Sequence, residues 1–436
     1  MEIRPKETIF TADAKMTPYW WEQSPPQPTT EAALPAKVDA LVVGSGYTGL
    51  HAAIELARGG RDVLVCDAEQ IGFGCSTRNG GQVSTSVKPD FASLAKAHGE
   101  DVARRIFEDG RQSLAWTEAF IGAEGIDCDF KVVGRYHVAH DDKSFQALAA
   151  SIRNRPKGLE VPAYVVPRAE QRSELGTDVY HGGVVIENHA SLDPGRYHAG
   201  LVRIARAAGV RFASHCKVTA TARSPSGFSV ETARGSVEAR NVVLATNGYS
   251  GPLSRWHHRR VIPIGSYIIA TEELPEALVD ELIPKNRVVS DTRRVLYYFR
   301  ASPDRRRILF GGRVSMAETD PRQSGPLLYK EMLRLFPQLA GYRVTHSWMG
   351  YVGYTFDTLA HAGAEDGIHY AMGYCGSGVG MAGYLGMRTA QTILGKAEGR
   401  TGYAETAFPT RSYYFGNPWF LAPAVHFYRL RDRFGI

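Results

Sequence analysis

Apolar positions change their spacing twice between residues 38 and 67, and each change marks a predicted element. The apolar run Val38–Val43 predicts a buried parallel strand. A helix is predicted after this strand, and Gly59-Gly60 ends it, as glycine commonly does at the C-terminus of a helix. The apolar run Val63–Val65 predicts a second strand, which closes on Asp67. Between the two strands, apolar residues recur at the spacing of one helix face: Leu50, Ala53, Ile54 and Ala57.

The turn between the first strand and the helix, Gly44–Gly49, fits the pattern G-x-G-x-x-G. In such a turn the first glycine allows a tight bend, the second lets the backbone approach a pyrophosphate, and the third lets helix and strand pack closely. The helix N-terminus then faces the phosphate charge. Asp67 lies about 20 residues further on, where a carboxylate accepts ribose hydroxyls. A dinucleotide site is predicted, but this motif serves NAD and FAD alike.

Three later segments extend this site. Gly72–Gln82 is too rich in glycine for a helix, and its Arg78 and Asn79 are expected to donate to a pyrophosphate or a ring carbonyl. The apolar strand that ends in Ala245–Tyr249 is typical of FAD-binding folds, and a nicotinamide dehydrogenase has no reason to repeat it. FAD is therefore favoured over NAD. Tyr370–Met381 predicts a strand, a glycine-rich turn and a helix N-terminus that stabilises the negative charge of a reduced flavin.

The remaining periodicity predicts both further helices and a second sheet. Helical spacing covers Leu94–Phe120, Ser144–Ile152, the stretch from Leu192–Gly195 to Ala208, and the stretch from the glycine-rich turn to about Leu394. Strands with aromatic residues predict an antiparallel sheet: Val261–Thr271, Val288–Ser290, Val295–Arg300 and Ile308–Arg313. Alternation places Tyr298 and Arg300 on one face. Arg300 and Arg313 are candidates for a bidentate contact with a substrate carboxylate, and a structural salt bridge is the alternative for each.

Composition excludes several classes of protein. The chain has 436 residues, of which 44% are hydrophobic, and this length predicts two domains. The net charge of +6 is mild for a chain of this length. Nucleic-acid binding would need a clustered basic face, so nucleic acid is not a predicted partner. The five cysteines are scattered, and neither a signal peptide nor a membrane-spanning run is evident. We therefore expect a cytoplasmic protein without a metal site.

These motifs resemble those of the D-amino-acid-oxidase-type superfamily of FAD-dependent amine oxidases, and within it the γ-glutamylputrescine oxidoreductase branch. The resemblance covers nearly the whole chain. Gly72–Gln82 is close to the family sequence GASGRNGGQ. The segments that carry the resemblance are Tyr19-Trp20, Gly44–Gly49, Gly72–Gln82, Ala245–Tyr249, Ser290–Arg293, Tyr298–Arg300, Gly311–Arg313, Gly373–Met381 and Asn417–Leu421.

Two positions depart from the family pattern. Cys75-Ser76-Thr77 stands where the family usually has Ala-Ser-Gly, and Asp67 stands where the acid is often Glu. Some relatives attach the flavin through His or Cys. Gly72–Gln82 contains no His, no Cys lies between Val218 and Tyr374, and Cys75 is interpreted as a small buried side chain. Non-covalent FAD is therefore expected.

The resemblance implies an α/β fold (α+β overall) with a Rossmann-like FAD-binding domain and a discontinuous antiparallel-sheet substrate domain. The expected division is an N-terminal arm (1–37), a FAD-binding domain (38–95, 190–254 and 345–400), a substrate-binding domain (96–189 and 255–344) and a C-terminal tail packed on the body (401–436). The predicted FAD contacts are Gly44, Ser45, Gly46, Tyr47, Thr48, Gly49, Asp67, Ala68, Cys75, Ser76, Arg78, Asn79, Gly80, Gly81, Gln82, Val218, Thr246, Asn247, Gly248, Gly376, Ser377, Gly378, Val379, Gly380 and Met381.

The resemblance also implies a reaction. A hydride passes from an amine to flavin N5, the imine is hydrolysed to an aldehyde, and O2 reoxidises the flavin and forms H2O2. The implied substrate is a γ-glutamylated polyamine or a related amine, in polyamine catabolism, and no general base is nominated. Aromatic residues are expected to hold the cationic amine tail. The candidates for the substrate pocket are Tyr267, Tyr298, Arg300, Trp348 and Tyr351.

Two alternatives stay open. The first is an FAD dehydrogenase or oxidase of an N-methylated or other amino acid, in which a carrier can replace O2. The second is a flavin-binding subunit that is active only with a partner bound through Trp419–Arg431. The oligomeric state is not predicted.

Overall fold

The computed structural model describes residues 9–26, 33–85, 87–315 and 318–434. Twenty strands and ten α-helices lie within these residues, and no helix among them is long and apolar enough to cross a membrane. The strands are β1 (Phe10–Lys15), β2 (Lys37–Val43), β3 (Val63–Cys66), β4 (Gln82–Val83), β5 (Lys131–Val132), β6 (Arg135–Val138), β7 (Ala163–Val166), β8 (Gly183–Ile186), β9 (Ala190–Ser191), β10 (Arg211–Ala213), β11 (Val218–Ser224), β12 (Gly227–Thr232), β13 (Gly235–Leu244), β14 (Ile262–Thr271), β15 (Val288–Asp291), β16 (Tyr297–Ala301), β17 (Ile308–Gly312), β18 (Val344–Tyr354), β19 (His361–Glu365) and β20 (Ile368–Met372). The helices are α1 (Tyr47–Arg58), α2 (Phe91–His98), α3 (Glu100–Ala123), α4 (Asp142–Arg153), α5 (Pro194–Ala207), α6 (Arg255–His258), α7 (Glu276–Leu282), α8 (Pro321–Leu335), α9 (Gly378–Ile393) and α10 (Leu421–Phe434).

An eight-stranded sheet contains the predicted strand–helix–strand unit. Its order is β10-β3-β2-β13-β12-β11, with β20 paired to β13 and β19 paired to β20. The pairs β10/β3, β3/β2, β2/β13 and β13/β20 are parallel, so these strands end at the same edge. Val42 packs among residues of α1 and α9 on one face, and Leu41 packs among residues of β12 and β13 on the other. Burial on both faces explains the unbroken apolar run of β2.

A nine-stranded sheet has the order β1-β18-β14-β17-β16-β15-β6-β8-β7. The four predicted strands are present in it as β14 to β17, and they pair antiparallel. The sheet is mixed, however, because β1 pairs parallel with β18 and β6 pairs parallel with β15. Along β16, Tyr297 and Phe299 pack into the core beneath α8, whereas Tyr298 and Arg300 lie on the opposite face, near Trp20. The predicted alternation is confirmed.

The helix predicted over Leu94–Phe120 is in fact two helices, α2 and α3. They are separated by Gly99, whose φ of +87° is outside the helical region. Gly99 N donates to Ala95 O, which closes the last turn of α2. A single glycine is also tolerated inside helices, so periodicity did not reveal this break. The other predicted helices correspond to α4, α5 and α9.

Three elements join parts of the chain that the expected domain division separates. β1 of the N-terminal arm pairs with β18, and β18 lies in the nine-stranded sheet although it follows the boundary at residue 345. In α10, the Asp432 carboxylate accepts from Arg294 N at 3.0 Å and from Val295 N at 3.1 Å. The arm and the tail therefore both contact the nine-stranded sheet, and the domain boundaries stay a prediction.

The Cys75–Gln82 loop is held by side chains that donate to its carbonyl oxygens. The donor side chains come from the arm, β16 and β18, and all three are buried. A buried carbonyl without a partner costs about 1–3 kcal/mol, so these bonds determine which way the peptide groups of the loop point. The bonds are Trp20 Nε1 to Asn79 O at 2.8 Å, Trp348 Nε1 to Arg78 O at 2.8 Å, and Arg300 Nη1 to Gly81 O at 3.0 Å.

Replacement of Arg300 by methionine tests this support. Arg300 Nη1 also donates to Leu192 O at 2.9 Å, so two buried carbonyls each lose one donor, although Gly81 O keeps its bond from Leu192 N at 2.9 Å. We expect the free energy of unfolding to fall by about 2–4 kcal/mol, measured by urea titration with circular dichroism. Arg306→Met is the matched control, because Arg306 is 58% exposed and pairs with Glu273 at the surface. Equal unfolding midpoints for Arg300→Met and the unmodified protein would contradict this role.

Candidate active site

The carboxyl ends of four parallel strands bring four turns together at one edge of the eight-stranded sheet. β2 leads into Gly44–Gly49, β3 into Asp67, β13 into Ala245–Gly248 and β20 into Gly373–Gly378. In open α/β sheets, ligands bind outside the carboxyl ends of the strands. The turns from which the sequence predicts a dinucleotide site are therefore neighbours in space.

Close backbone approach requires two of the glycines in the first turn. Gly44 has a φ of +102°, and a Cβ atom there would lie 3.0 Å from Ala245 O. A Cβ atom at Gly49 would lie 2.0 Å from Gly44 O, so α1 can pack against the end of β2 only with glycine at this position. The N-cap residue of α1 is a glycine and offers no side-chain cap, and Ser76 Oγ of the following loop accepts from the first N–H group of the helix at 2.9 Å. Its backbone N–H groups and its dipole thus favour an anionic ligand.

Ser45 fixes the orientation of the Asp67 carboxylate at the end of β3. Ser45 N and Oγ donate to Asp67 Oδ2 at 2.8 and 2.5 Å, and Glu69 N donates to Oδ1 at 3.0 Å. His198 Nε2 donates to Ser45 O at 2.7 Å, and burial lowers the pKa of this histidine, which is therefore neutral. Asp67 is partly exposed and Ala68 is exposed. The carboxylate is accessible to a hydroxyl ligand while its position is fixed.

Asn247 joins the end of β13 to the end of β20. Its Oδ1 accepts from Gly373 N at 2.9 Å, and its φ of +43° lies in a region that asparagine tolerates better than most residues. A Cβ atom at Gly248 would lie 3.1 Å from Tyr351 O of β18. The small residues of this strand end thus allow close packing against the next turn and the other sheet.

The start of α9 is a second helix N-terminus whose own N-cap residue makes no side-chain cap bond. The preceding turn contains three residues with positive φ: Gly373 at +80°, Cys375 at +52° and Gly376 at +94°. Thr48 Oγ1 lies 2.6 Å from Tyr374 OH, and a Cβ atom at Gly386 would lie 2.3 Å from Thr48 O, so α1 and α9 pack closely. Two such helix starts at one sheet edge suit a ligand with two separated sites of negative charge.

Arg78 has different partners from those expected. Its guanidinium lies over the rings of both Trp21 and Phe73, with its carbon 4.5 and 4.4 Å from their centroids. It donates to Phe73 O at 2.7 Å and to Met349 O at 3.1 Å. A largely buried cation needs such partners. Through these partners Arg78 connects the loop to the arm and to β18, and its contact with a ligand stays a prediction.

Asn79 likewise bonds within the loop. Its Nδ2 donates to Cys75 O at 3.1 Å and to Ser76 O at 3.0 Å. Ser76 Oγ accepts from Tyr47 N at 2.9 Å, which connects the loop to the start of α1. Burial raises the pKa of the Cys75 thiol to about 11. The thiol is protonated at neutral pH and is therefore a poor nucleophile for a covalent link.

The other predicted cofactor residues lie around the same turns. Val218, at the start of β11, packs in the apolar cluster that contains Leu64 and Cys66. Thr246 Oγ1 lies 2.8 Å from Ser250 Oγ, within the β13 turn. The remaining positions are Gly46 before α1, Gly80 and Gly81 in the loop, Gln82 in β4, Ser377 before α9, and Gly378, Val379, Gly380 and Met381 in its first turn.

Of the five substrate-pocket candidates, Tyr298 and Trp348 contact the loop. Trp348 is fully buried and donates to a loop carbonyl, as described above. The ring of Tyr298 would lie 3.1 Å from a Cβ atom at Gly80, and its hydroxyl lies 2.8 Å from Ser266 Oγ. Both side chains therefore support the loop from the nine-stranded sheet.

Arg300 is not among the residues that line the cavity described below, and its contact with a substrate carboxylate stays a prediction. It is 5% exposed, and its partners are the carbonyl oxygens of Gly81, Leu192 and Ala301. Burial lowers the pKa of its guanidinium to about 10, so it still carries a charge at neutral pH. Its bonds in this structure go to backbone carbonyls rather than to the carboxylate of a salt bridge.

A cavity of about 570 Å³ lies between the β13 turn, β18 and the segment before α10. Four residues singled out in the sequence line it: Asn247, Gly248, Arg313 and Tyr351. Tyr267 lies in the adjoining core, and its hydroxyl donates to Glu318 Oε2 on the cavity wall at 2.8 Å.

Sequence analysis missed other residues of this region. Tyr249 and Trp419 line the cavity, and both stand in segments that carry the resemblance, so a signal for them existed. Glu318 also lines it, and nothing in the sequence distinguishes it from other acidic residues. Lys88 Nζ donates to Tyr354 OH at 3.1 Å beside the α9 turn, again without a sequence signal.

Comparisons with known proteins agree with this geometry. Gamma-glutamylputrescine oxidoreductase of Escherichia coli (strain K12) is 33% identical over 407 residues, which cover 91% of this chain and 93% of that protein. Probable oxidoreductase OrdL of Rhizobium meliloti (strain 1021) is 32% identical over 95% of this chain and 97% of its own length. The crystal structure of glycine oxidase from Geobacillus kaustophilus matches with a TM-score of 0.72 at 19% identity, covering 87% of this chain and 100% of that one.

The structure of L-proline dehydrogenase from P. horikoshii also matches, with a TM-score of 0.69 at 18% identity over 88% of this chain and 98% of that one. The pattern of the family described as FAD dependent oxidoreductase (DAO) matches residues 39–392, which include all four turns at the sheet edge. The glycine-lined turns and the two helix starts, whose own N-cap residues make no side-chain cap bond, fit FAD, the cofactor of that family. The chain belongs to the DAO family of FAD-dependent oxidoreductases.

Proposed function

We propose that this enzyme oxidises an amine of the γ-glutamylated polyamine class and that O2 reoxidises its cofactor with formation of H2O2. The observation that carries the proposal is the cavity. It extends from Asn247 and Gly248, at the cofactor edge of the sheet, to the aromatic side chains of Tyr249, Tyr351 and Trp419. Aromatic faces attract amines and their cationic tails. The similarity to the E. coli gamma-glutamylputrescine oxidoreductase supports this substrate class.

The turns at the sheet edge would hold FAD along its length. Asp67 would accept the ribose hydroxyls, and the start of α1 would face the pyrophosphate. The start of α9 would face the pyrimidine end of the ring, where its dipole stabilises negative charge. Bound FAD supplies a two-electron acceptor for the oxidation of the amine C–N bond.

Tyr249 and Tyr351 would orient the amine. Tyr351 N donates to Tyr249 OH at 3.2 Å, and the rings meet edge to face with their centroids 5.4 Å apart. Desolvation raises the pKa of both phenols, so both stay neutral at physiological pH. They can bind a neutral amine by packing and hydrogen bonds, and they are unsuited to act as general bases.

A second substrate class is an N-methylated or other amino acid. Arg313 lines the same cavity, and a guanidinium binds a carboxylate well. The two classes differ in which nitrogen is oxidised, so a comparison of substrates separates them.

Anaerobic absorbance spectroscopy tests the reaction. γ-Glutamylputrescine is expected to bleach the flavin bands of the FAD-loaded protein, because the amine transfers two electrons to the cofactor. Air should then restore the bands and release H2O2. If the bands persist, γ-glutamylputrescine is not a substrate, and N-methylated amino acids become the substrate class to test next. If the bands bleach but return only slowly in air, the protein is a dehydrogenase with another acceptor.

The Asp67→Ala variant tests how FAD is held. Loss of a charged acceptor is expected to weaken FAD binding by about 10- to 100-fold, measured by fluorescence titration of the apoprotein. Asp62→Ala is the control, because Asp62 pairs with Arg211 at the surface and precedes β3 instead of following it. Equal FAD affinity of Asp67→Ala and the unmodified protein would show that Asp67 does not contribute to FAD binding.

Acid precipitation tests whether FAD is bound without a covalent link. The neutral thiol of Cys75 leads us to expect that all flavin stays in the supernatant after precipitation. Absorbance of the supernatant and the pellet measures this. Flavin retained in the pellet of the unmodified protein, and lost from it in Cys75→Ser, would show a bond to this cysteine.

A further inference from the structure

Two opposite charges stand on the wall of the cavity. Among the described residues that line it, Arg313 and Glu318 are the charged ones, since desolvation lowers the pKa of His258. Arg313 Nη1 lies 2.9 Å from Glu318 Oε1. The Arg313 side chain is 9% exposed and that of Glu318 is 33% exposed. The pair is thus partly removed from water, where charges interact more strongly than in bulk solvent.

The surrounding backbone holds both charges in place. Arg313 Nη1 donates to Gly265 O at 2.9 Å, and Gly265 N donates to Glu318 Oε1 at 3.1 Å. The hydroxyl of the buried Tyr267 donates to Glu318 Oε2 at 2.8 Å. Strand β14 supplies both Gly265 and Tyr267, so the positions of the two charges on the cavity wall are fixed before any ligand arrives. Such preorganisation lowers the entropic cost of binding.

We infer that this pair recognises a zwitterionic α-amino-carboxylate group on the substrate. The guanidinium of Arg313 faces the ligand carboxylate, and the carboxylate of Glu318 faces the ligand ammonium. This inference rests on the proposed function, because it identifies the end of the amine that is not oxidised. The four charges then alternate in sign, and each charge has neighbours of the opposite sign.

This arrangement discriminates against simpler amines. A plain diamine presents only an ammonium to the pair, which Glu318 attracts and Arg313 repels. A ligand with only a carboxylate is attracted by Arg313 and repelled by Glu318. The neighbouring aromatic side chains of Tyr249 and Trp419 would pack against the neutral spacer that connects the zwitterion to the oxidised amine. The selected substrate class is therefore an amino acid joined through its side chain to an aliphatic amine.

A ligand series separates recognition from turnover. The full ligand is the γ-methylamide of glutamate, which carries the zwitterion but no oxidisable tail. Its two matched analogues are glutaric acid monomethylamide, which lacks the ammonium, and the methylamide of γ-aminobutyric acid, which lacks the carboxylate. Binding to the anaerobic FAD-loaded enzyme is measured by the change in the flavin absorption spectrum. We expect the full ligand to bind about 10-fold tighter or more than either analogue.

Variants assign the two charges. Arg313→Gln is expected to bind the full ligand no more tightly than the analogue that lacks the carboxylate. Glu318→Gln is expected to bind the full ligand no more tightly than the analogue that lacks the ammonium. Arg313→Lys keeps the charge and should restore part of the carboxylate preference. Arg172→Gln is the control, because Arg172 pairs with Asp178 at the surface, with both side chains more than half exposed. It should bind all three ligands as the unmodified protein does.

Four outcomes are decisive. Selective loss of one preference in each variant supports the inference. Binding of all three ligands within about twofold by the unmodified enzyme overturns it, as does an equal weakening of all three in both variants, which shows a structural role for the pair. If γ-glutamylputrescine fails to bleach the flavin while the binding preferences persist, the proposed reaction is wrong and the zwitterion site stands.

Discussion

The candidate active site depends on hydrogen bonds to the carbonyl oxygens of the Cys75–Gln82 loop. Trp20, Arg300 and Trp348 donate to this loop from the arm and from two strands of the nine-stranded sheet. Each is a buried donor matched to a buried acceptor, so the loop cannot turn over without leaving polar groups unpaired. The loop contacts the start of α1 through Ser76, and the nine-stranded sheet thereby fixes the cofactor edge of the eight-stranded one.

The chemistry at that edge follows from backbone geometry more than from side chains. Gly44 and Gly49 let α1 approach the strand end closely, and the N-cap residues of α1 and α9 make no side-chain cap bond. Arg78 and Asn79 bond to backbone carbonyls and stiffen the loop. Peptide N–H groups and helix dipoles are thus the main electrostatic features offered to FAD, and they require no reorganisation when charge develops on the cofactor.

Arg300 and Arg313 show how one residue type takes two roles within the same sheet. Arg300 lies on the face of β16 that points towards the loop, and it bonds to backbone carbonyls. Arg313 lies just after β17, and it pairs with Glu318 on the cavity wall. Both were candidates for a carboxylate contact, and only the position of each strand end relative to the cavity distinguishes them. The same fixed geometry that excludes one arginine from the pocket preorganises the other.

The sequence by itself determined the local elements whose causes are local. The apolar runs of β2 and β3, the glycines of the α1 turn, the strand end at Ala245–Gly248 and the alternation along β16 were all predicted, because period and steric requirements act over a few residues. Tertiary structure decided the rest. The break at Gly99, the inward partners of Arg78 and Arg300, and the charge pair of Arg313 with Glu318 depend on which distant segments meet. Local sequence patterns do not predict such contacts, because these hydrogen bonds and this burial depend on residues that are neighbours in space and not along the chain.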